Sequence, residues 1–362
     1  RSTGIESSYD EFGFCMHRAR FDDFLRDRAE QAGATYRVGT SVRGVETDRE
    51  ATDGPRHRLE LADGGAIGAD FLILADGPQR QVTTGVLDEY LPFDVTERLS
   101  TRETNHIAYQ EHRRLPAEVF EEVAGAIKFW WGYMPGHTAY PWIFPNDDNV
   151  ARIGLTMPIG LDIDDYDASE WALLREDDEK IPQGRTYVER LLEREFPDYD
   201  LSDFPLVEDR GKSAGTETYP ISSTRPIDSP TQANVAVVGG AMGATSAFHE
   251  GGDHVAVRSG SIAGRLAAED SLERYNDAWK AAMGTEVRRN VAFAELVRGF
   301  GPDKWDRVFG TVSKMQTVDG SLWRQALAAG TLGISTVARY KWLKHRYSDG
   351  GYVQLSANEY TV

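Results

Sequence analysis

Cysteine is almost missing from this sequence. Cys15 is the single thiol in 362 residues, so no disulfide can close within the chain, and a reducing compartment, the cytoplasm, is expected. Lysine is scarce too: 8 residues, against 32 arginines and 58 Asp and Glu. No run approaches the roughly 18 consecutive apolar residues that span a membrane. No His, Cys and carboxylate cluster stands at metal-ligand spacing, and no G-x-S-x-G nucleophile elbow occurs, so no metal site is expected. A net charge of −18 and a pI near 4.9 argue against nucleic acid as a partner, because neutralising phosphates needs a basic surface. Internal repeats and low-complexity tracts are absent.

What is present is a real core. The 40% hydrophobic content excludes wholesale disorder, and the length fits two packed units or one elaborated α/β domain. Residues 18–33 place Phe21, Leu25 and Ala29 at four-residue spacing and end at Gly33, which predicts an amphipathic helix with a glycine stop. Alternation around Asp63-Gly64 predicts a hairpin, and Phe71 to Ala75 reads as a buried strand stopping at Asp76-Gly77. Between 86 and 219 the runs TNHIAYQEHR, AIKFWWGYM and NVARIGLTMP predict an antiparallel sheet, interrupted by helices at about 167–178 and 184–196. From about 269 onward the chain reads as helical, with a break near Gly301-Pro302.

Asn234 to Val238 form a short apolar strand followed at once by Gly239-Gly240-Ala241-Met242-Gly243. Glycines there let the backbone approach a ligand, and the next helix start offers free N–H groups and its dipole to an anion. A tight strand–helix turn without any ligand would have the same pattern. The second cluster, Glu250-Gly251-Gly252-Asp253, precedes the apolar positions Val255, Val257 and Ile262.

These residues resemble the geranylgeranyl reductase branch of the FAD-dependent oxidoreductases related to para-hydroxybenzoate hydroxylase. HRARFDDFLRDRAEQAGA resembles the R-x-x-F-D helix of that superfamily, and ADFLILADG its strand ending in Asp-Gly. VAVVGGAMGATSAFHEGGDHVAVRSGSIAG lines up without gaps on the family's G-D-A-A-G…G-G-G-I…A-x-x-S-G stretch. YPWIFPNDDNVARIGLT resembles the reductase branch's Y-x-W-x-F-P motif. The likeness covers roughly residues 14–268.

The resemblance implies an α/β (α+β) fold: a doubly wound FAD-binding domain, an antiparallel-sheet substrate domain and a helical C-terminal tail. The boundaries follow as 1–85 and 220–268 for the FAD-binding parts, 86–219 for the substrate domain and 269–362 for the helical region. It implies that Arg18 holds the FAD phosphate or ribityl region, that Val42 meets the adenine end through its backbone, and that Asp76 and Gly77 close a supporting strand. Gly240, Gly251, Gly252 and Asp253 would surround the ribityl chain and flavin ring. His249 and Glu250, inside the glycine loop, are the candidate catalytic groups; a His of ordinary pKa can donate a proton near neutrality, and a hydrogen-bonded structural role is the alternative. The G-x-G-x-x-G loop for the adenosine half is not in the sequence, and the resemblance places it upstream of Arg18, in an N-terminal part expected to be missing from a chain that begins at Arg1. Within the third block the family's Asp is Gly240, its Pro is Ala247 and its Ile is Asp253, which removes a cofactor hydrogen bond.

Tyr140, Trp142 and Phe144 alternate and share one strand face, an aromatic wall suited to a long apolar substrate; the Phe129-Trp130-Trp131 run reads as sheet packing. The implied reaction is flavin-dependent reduction of an isoprenoid or prenyl-lipid double bond, with NAD(P)H or ferredoxin as electron donor. A flavin monooxygenase or halogenase and a lipid-binding descendant without flavin are the alternatives. Residues 321–347 carry five Lys/Arg and no acid, which fits either a helix on an anionic bilayer or one packed on the acidic body.

An acidic, lysine-poor surface is also what a protein of concentrated salt carries. Dialysis from molar salt to low salt is therefore expected to unfold the chain, as followed by far-UV circular dichroism. Full stability without added salt would contradict this.

Overall fold

Short apolar runs form the strands at the centre of each of two cores. The computed structural model describes residues 15–50, 55–97, 99, 105–222, 225–316 and 330–362, a mixed α/β chain with two compact units. The first unit comprises Arg1–Tyr36, Ile107–Tyr219 and Val297–Lys341; the second comprises Arg37–His106, Pro220–Leu296 and Trp342–Val362.

In the second unit, β1 (Val42–Thr47), β2 (His57–Leu61) and β3 (Ala66–Ala69) form an antiparallel sheet. The expected turn is there: Gly64 has φ +87°, and Leu61 N–H bonds to Gly65 O. The strand expected to be buried throughout is β4 (Leu72–Leu74), which pairs in parallel with β10 (Val235–Val237) from the far side of the sequence but is buried only through Leu72 and Leu74, because nothing among the described residues covers the face of Ile73, 36% exposed. The helices α2 (Thr83–Asp88) and α3 (Phe93–Glu97) follow β4, and α6 (Asp253–Ala268) follows β10. A core of Leu72, Leu74, Val235, Val237, Val255 and Trp279 closes around the parallel pair. The units cut the chain elsewhere than the composition does. α7 (Tyr275–Val297) and the C-terminal turns pack with the glycine-loop segment, because Trp279, Met283 and Tyr352 are buried in its core.

The first unit is built on a five-stranded sheet of order β6-β7-β8-β5-β9. Its strands are β5 (Asn105–Arg114), β6 (Lys128–Phe129), β7 (Tyr140–Pro145), β8 (Val150–Pro158) and β9 (Thr216–Ser222). Antiparallel register sets Ile143 opposite Ile153 and Pro141 opposite Leu155. This face packs on α4 (Ala117–Val123) and α5 (Gly184–Glu195) through Val119, Val123, Val188 and Leu191. The other face carries Tyr140, Trp142 and Phe144 opposite Thr156, Gly154 and Arg152, with Phe129 opposite Trp142; residues opposed across antiparallel strands share a face.

Several expectations differ. The helix at 167–178 is only the single 3₁₀ turn Ala168–Glu170, since Asp167 bonds Ser169 N–H and Asp178 bonds Arg175 N–H, closing local turns in place of a helix. AIKFWWGYM gives only the two-residue β6. The predicted first helix is α1 (Arg18–Gln31), ending before Gly33 (φ +99°), but none of its residues is buried among the described contacts. The C-terminal region contains α7, α8 (Pro302–Gln316) and α9 (Gly330–Arg346), after which residues 347–362 run as turns, with Leu355 bridging Ile227. Residues 321–329 of the basic segment lie outside the described residues.

Gly154 is required by close approach. A Cβ there would sit 2.5 Å from Tyr109 O, 2.6 Å from Gln110 Cβ and 2.8 Å from Trp142 Cζ2. Gly154→Ala is expected to destabilise by about 1–3 kcal/mol through overpacking, seen as a lower urea midpoint with an unchanged slope. An unchanged midpoint would contradict the packing.

Candidate functional site

β10 runs directly into the turn Gly239–Gly243. Gly239 (φ +57°) and Gly243 (φ +75°) adopt left-handed backbone that costs a side chain roughly 1–2 kcal/mol. The turn is tied down by three side chains or strands. Ser259 of α6, fully buried, accepts from Gly239 N–H at 3.0 Å. Ile227 N–H bonds to Met242 O at 2.9 Å, and Arg80 donates Nε–H to Ala241 O at 2.8 Å. The Asp76-Gly77-Pro78 turn lies against it: a Cβ on Gly240 would stand 3.0 Å from Pro78 Cδ and 3.5 Å from Gly77 Cα.

The second half of the loop folds back on itself, with Glu250 N–H to Ser246 O and Ser246 N–H to Gly251 O. Glu250 has φ +57°, and its side chain is 1% exposed. Its Oε1 lies 2.5 Å from Nδ1 of His106, at the start of β5. His249 Nδ1 accepts from Gly251 N–H at 3.2 Å, so the ring of the neutral form carries its proton on Nε2. Burial first, and the neighbouring His254 second, hold the His249 imidazole below its ordinary value. His254 stacks 6.1 Å from it and meets Glu286 at 2.8 Å, which Arg258 also bonds at 3.0 Å. Burial pushes Glu286 up, but the bonds and charges of His254 and Arg258 outweigh it and hold the carboxyl below the usual range.

Among the residues singled out by sequence, Asp76, Gly77, Gly240, His249, Glu250, Gly251, Gly252 and Asp253 all belong to the second unit, where the Asp76-Gly77 turn packs on Gly240. Asp76 spends its carboxylate on its own chain: it caps α2 by accepting from Val82 N–H at 2.7 Å, Thr83 N–H at 2.9 Å and the Thr83 hydroxyl at 2.5 Å. Val42 opens β1 beside a register shift opposite Leu61. Arg18 belongs to the first unit and pairs with Asp22 at 2.8 Å on its own helix. Arg80 and His106 had no signal in the sequence: each gains its role only from a partner more than a hundred positions away.

The resemblance implies FAD, and the glycine turn fits its flavin and ribityl portion. α6 follows the N-cap Gly252, which has no side chain to cap it. Asp253 in the first turn of that helix already supplies a negative charge to the dipole, which disfavours a diphosphate at this place. Among the described residues no group of His, Cys, Asp and Glu is arranged to hold a metal.

In the first unit the aromatic face is continuous. Tyr140 to Trp142 is 5.8 Å between ring centroids, Trp142 to Phe144 is 5.4 Å and stacked, and Phe129 meets both Tyr140 and Phe144 at 5.4 Å. Trp131 joins it at 4.8 Å from Tyr140 and stacks 6.0 Å from Trp305 of α8. The Phe-Trp-Trp run therefore does not pack the sheet core as a block. Phe129, 39% exposed, and Trp131 extend the aromatic face, and only Trp130 turns to the helix-covered core. Trp142 is 4% exposed, and its buried indole N–H has no hydrogen-bond partner.

Residues 3–114 match the tryptophan halogenase family. Two curated archaeal relatives are named digeranylgeranylglycerophospholipid reductase. That of Methanospirillum hungatei is 24% identical over 325 residues, covering 85% of this chain and 69% of the relative. That of Methanocaldococcus jannaschii is 24% identical over 306 residues, covering 81% and 67%. The solved geranylgeranyl bacteriochlorophyll reductase-like protein of Thermoplasma acidophilum has a TM-score of 0.67 at 18% identity, covering 93% of this chain and 78% of that one. A flavoprotein/dehydrogenase of Cytophaga hutchinsonii scores 0.52 at 13% identity, covering 93% and 72%.

Buried His57 sits below its ordinary value of 6.5, burial being the leading cause. It binds a proton less readily folded than unfolded, so stability is fully present above about pH 6.5 and falls as pH drops through the lowered value. Melting temperature is expected to decline between pH 7.5 and 5, and His57→Asn to make that decline shallower. An unchanged slope in the variant would contradict the assignment.

Proposed function

We propose that this chain, a geranylgeranyl reductase-like FAD-dependent oxidoreductase in sequence and fold, reduces carbon–carbon double bonds of an isoprenoid or prenyl lipid. The aromatic face of Tyr140, Trp142, Phe144, Phe129 and Trp131 carries the reading. Five rings along one sheet face offer an apolar surface of the length and chemistry of a polyprenyl chain, and relatives along most of the chain are named reductases of such a lipid.

FAD, once bound and reduced, supplies hydride to an alkene carbon. The protein's part is to orient the chain, exclude water and hold a proton. In this reading Phe129 and Phe144, at the more open edge of the face, grip the isoprenoid, and Gly240, Gly251 and Gly252 give backbone access to the flavin. Glu250, 2.5 Å from His106, and His249, which accepts from Gly251 N–H, are the polar side chains of the loop in this reading.

Membrane lipid as substrate also gives the basic segment a task. α9 exposes Trp342 (59%) and ends in Lys344, His345 and Arg346, while Val337 and Leu343 are buried. Its exposed side suits an anionic bilayer surface. No helix among the described residues is long and apolar enough to cross a membrane.

The purified full-length protein in high salt is expected to be yellow and to release one FAD per chain. A colourless folded protein that ignores added FAD would favour a lipid-binding descendant, and substrate-dependent oxygen uptake would favour a monooxygenase or halogenase. Phe129→Ala is expected to raise KM for a prenyl lipid about five- to thirtyfold, through loss of roughly 1–2 kcal/mol of apolar contact, with flavin content unchanged. An unaltered KM would remove this face from substrate binding.

A further inference from the structure

Arg80 is a buried charged residue held without an ion-pair partner among the described residues. It is 1% exposed, and only its two backbone-carbonyl contacts are made: Nε to Ala241 O at 2.8 Å and Nη1 to Leu99 O at 2.9 Å. Nη2 has no hydrogen-bond partner, and no carboxylate touches the guanidinium among the described residues. The nearest acid, Asp76, acts on it only through space and is occupied in capping α2. Burial pulls the group down to about 10, which leaves it cationic at neutral pH. Its backbone is also left-handed, φ +49°. A buried unpaired charge and a strained non-glycine backbone are both unfavourable for stability. Such a combination persists where the surroundings over-determine it, as they do at functional sites.

The location explains what the residue holds. Pro78 occupies the space where a side chain at position 240 would stand, with Cδ at 3.0 Å and N at 3.3 Å from that Cβ position. Gly240 therefore contributes no side-chain tether to its turn. Two residues after Pro78, Arg80 reaches the adjoining carbonyl of Ala241.

We propose that Arg80 is a positioning residue of the flavin site. From the Asp76–Gly77 turn it holds the Gly239–Gly243 turn through the Ala241 carbonyl, with Pro78 packed on Gly240, so that the turn keeps its shape for the cofactor without the Asp that the family pattern has at 240. The inference rests on the FAD reading. It also predicts that restoring that Asp harms the site, because Pro78 already fills its place.

The test measures FAD affinity by fluorescence titration, visible circular dichroism of the bound flavin, and melting temperature, in the full-length protein and four variants. Arg80→Met is expected to weaken FAD about tenfold or more and to change the flavin dichroism, while KM for a prenyl lipid stays put; Arg80→Lys recovers part of the affinity. Gly240→Asp is expected to lower both melting temperature and FAD affinity, and the double variant Pro78→Gly/Gly240→Asp to regain them. If Arg80→Met does not fold, Arg80→Lys and the 78/240 pair decide alone. Wild-type FAD affinity and dichroism in the Arg80 variants, or tighter FAD in Gly240→Asp, would overturn the inference while leaving the FAD reading standing. A wild-type protein that takes no FAD would overturn both.

Discussion

The parallel pairing of Leu72–Leu74 with Val235–Val237 is the constraint on which the second unit depends. It joins two strands separated by 160 positions, and each strand ends in a glycine turn, so the pairing sets those turns side by side. The contact of Pro78 with Gly240 and the bond from Arg80 to Ala241 follow from it. The strands themselves are short and wholly apolar, and burial of β10 on both faces and of Leu72 and Leu74 on one supplies the driving force that fixes polar groups in costly positions nearby. The strain at Arg80 and Glu250 is tolerated because the surrounding core leaves no other arrangement.

The first unit solves a different problem. One face of its sheet is an ordinary helix-covered core of Ile143, Ile153 and Leu155. The opposite face carries aromatic rings, met at Trp131 by Trp305 of α8, and Gly154 leaves room for Trp142 beside the neighbouring strand. An unpartnered indole N–H within that layer is an unusual feature for pure packing, since buried donors are normally satisfied. The same layer that stabilises the sheet thus offers a long apolar track.

Much of this was legible in the residues. Period-two alternation marked β5, β7 and β8, and Asp63-Gly64 marked the hairpin. The glycine turn after Val235–Val237 and the alternating Tyr140, Trp142 and Phe144 marked the two sites. What sequence left hidden depends on long-range partners. Arg80 reads as a loop charge until the pairing of β4 and β10 buries it, and His106 is an ordinary strand residue until Glu250 arrives beside it. Asp76, expected to close a supporting strand, also caps α2 with its oxygens, a partner that the Asp-Gly pattern does not reveal. The failed helix at 167–178 was decided by side-chain turns of Asp167 and Asp178, which compete locally with the helix ladder.

The central claim is that this chain reduces carbon–carbon double bonds of a prenyl lipid. The most direct measurement is the mass of a prenyl lipid after anaerobic incubation with the full-length protein, FAD and a chemical reductant. The account predicts product heavier by two hydrogens for each double bond reduced, with none formed when the protein is left out. A lipid recovered unchanged from an FAD-loaded, fully reduced protein would contradict it.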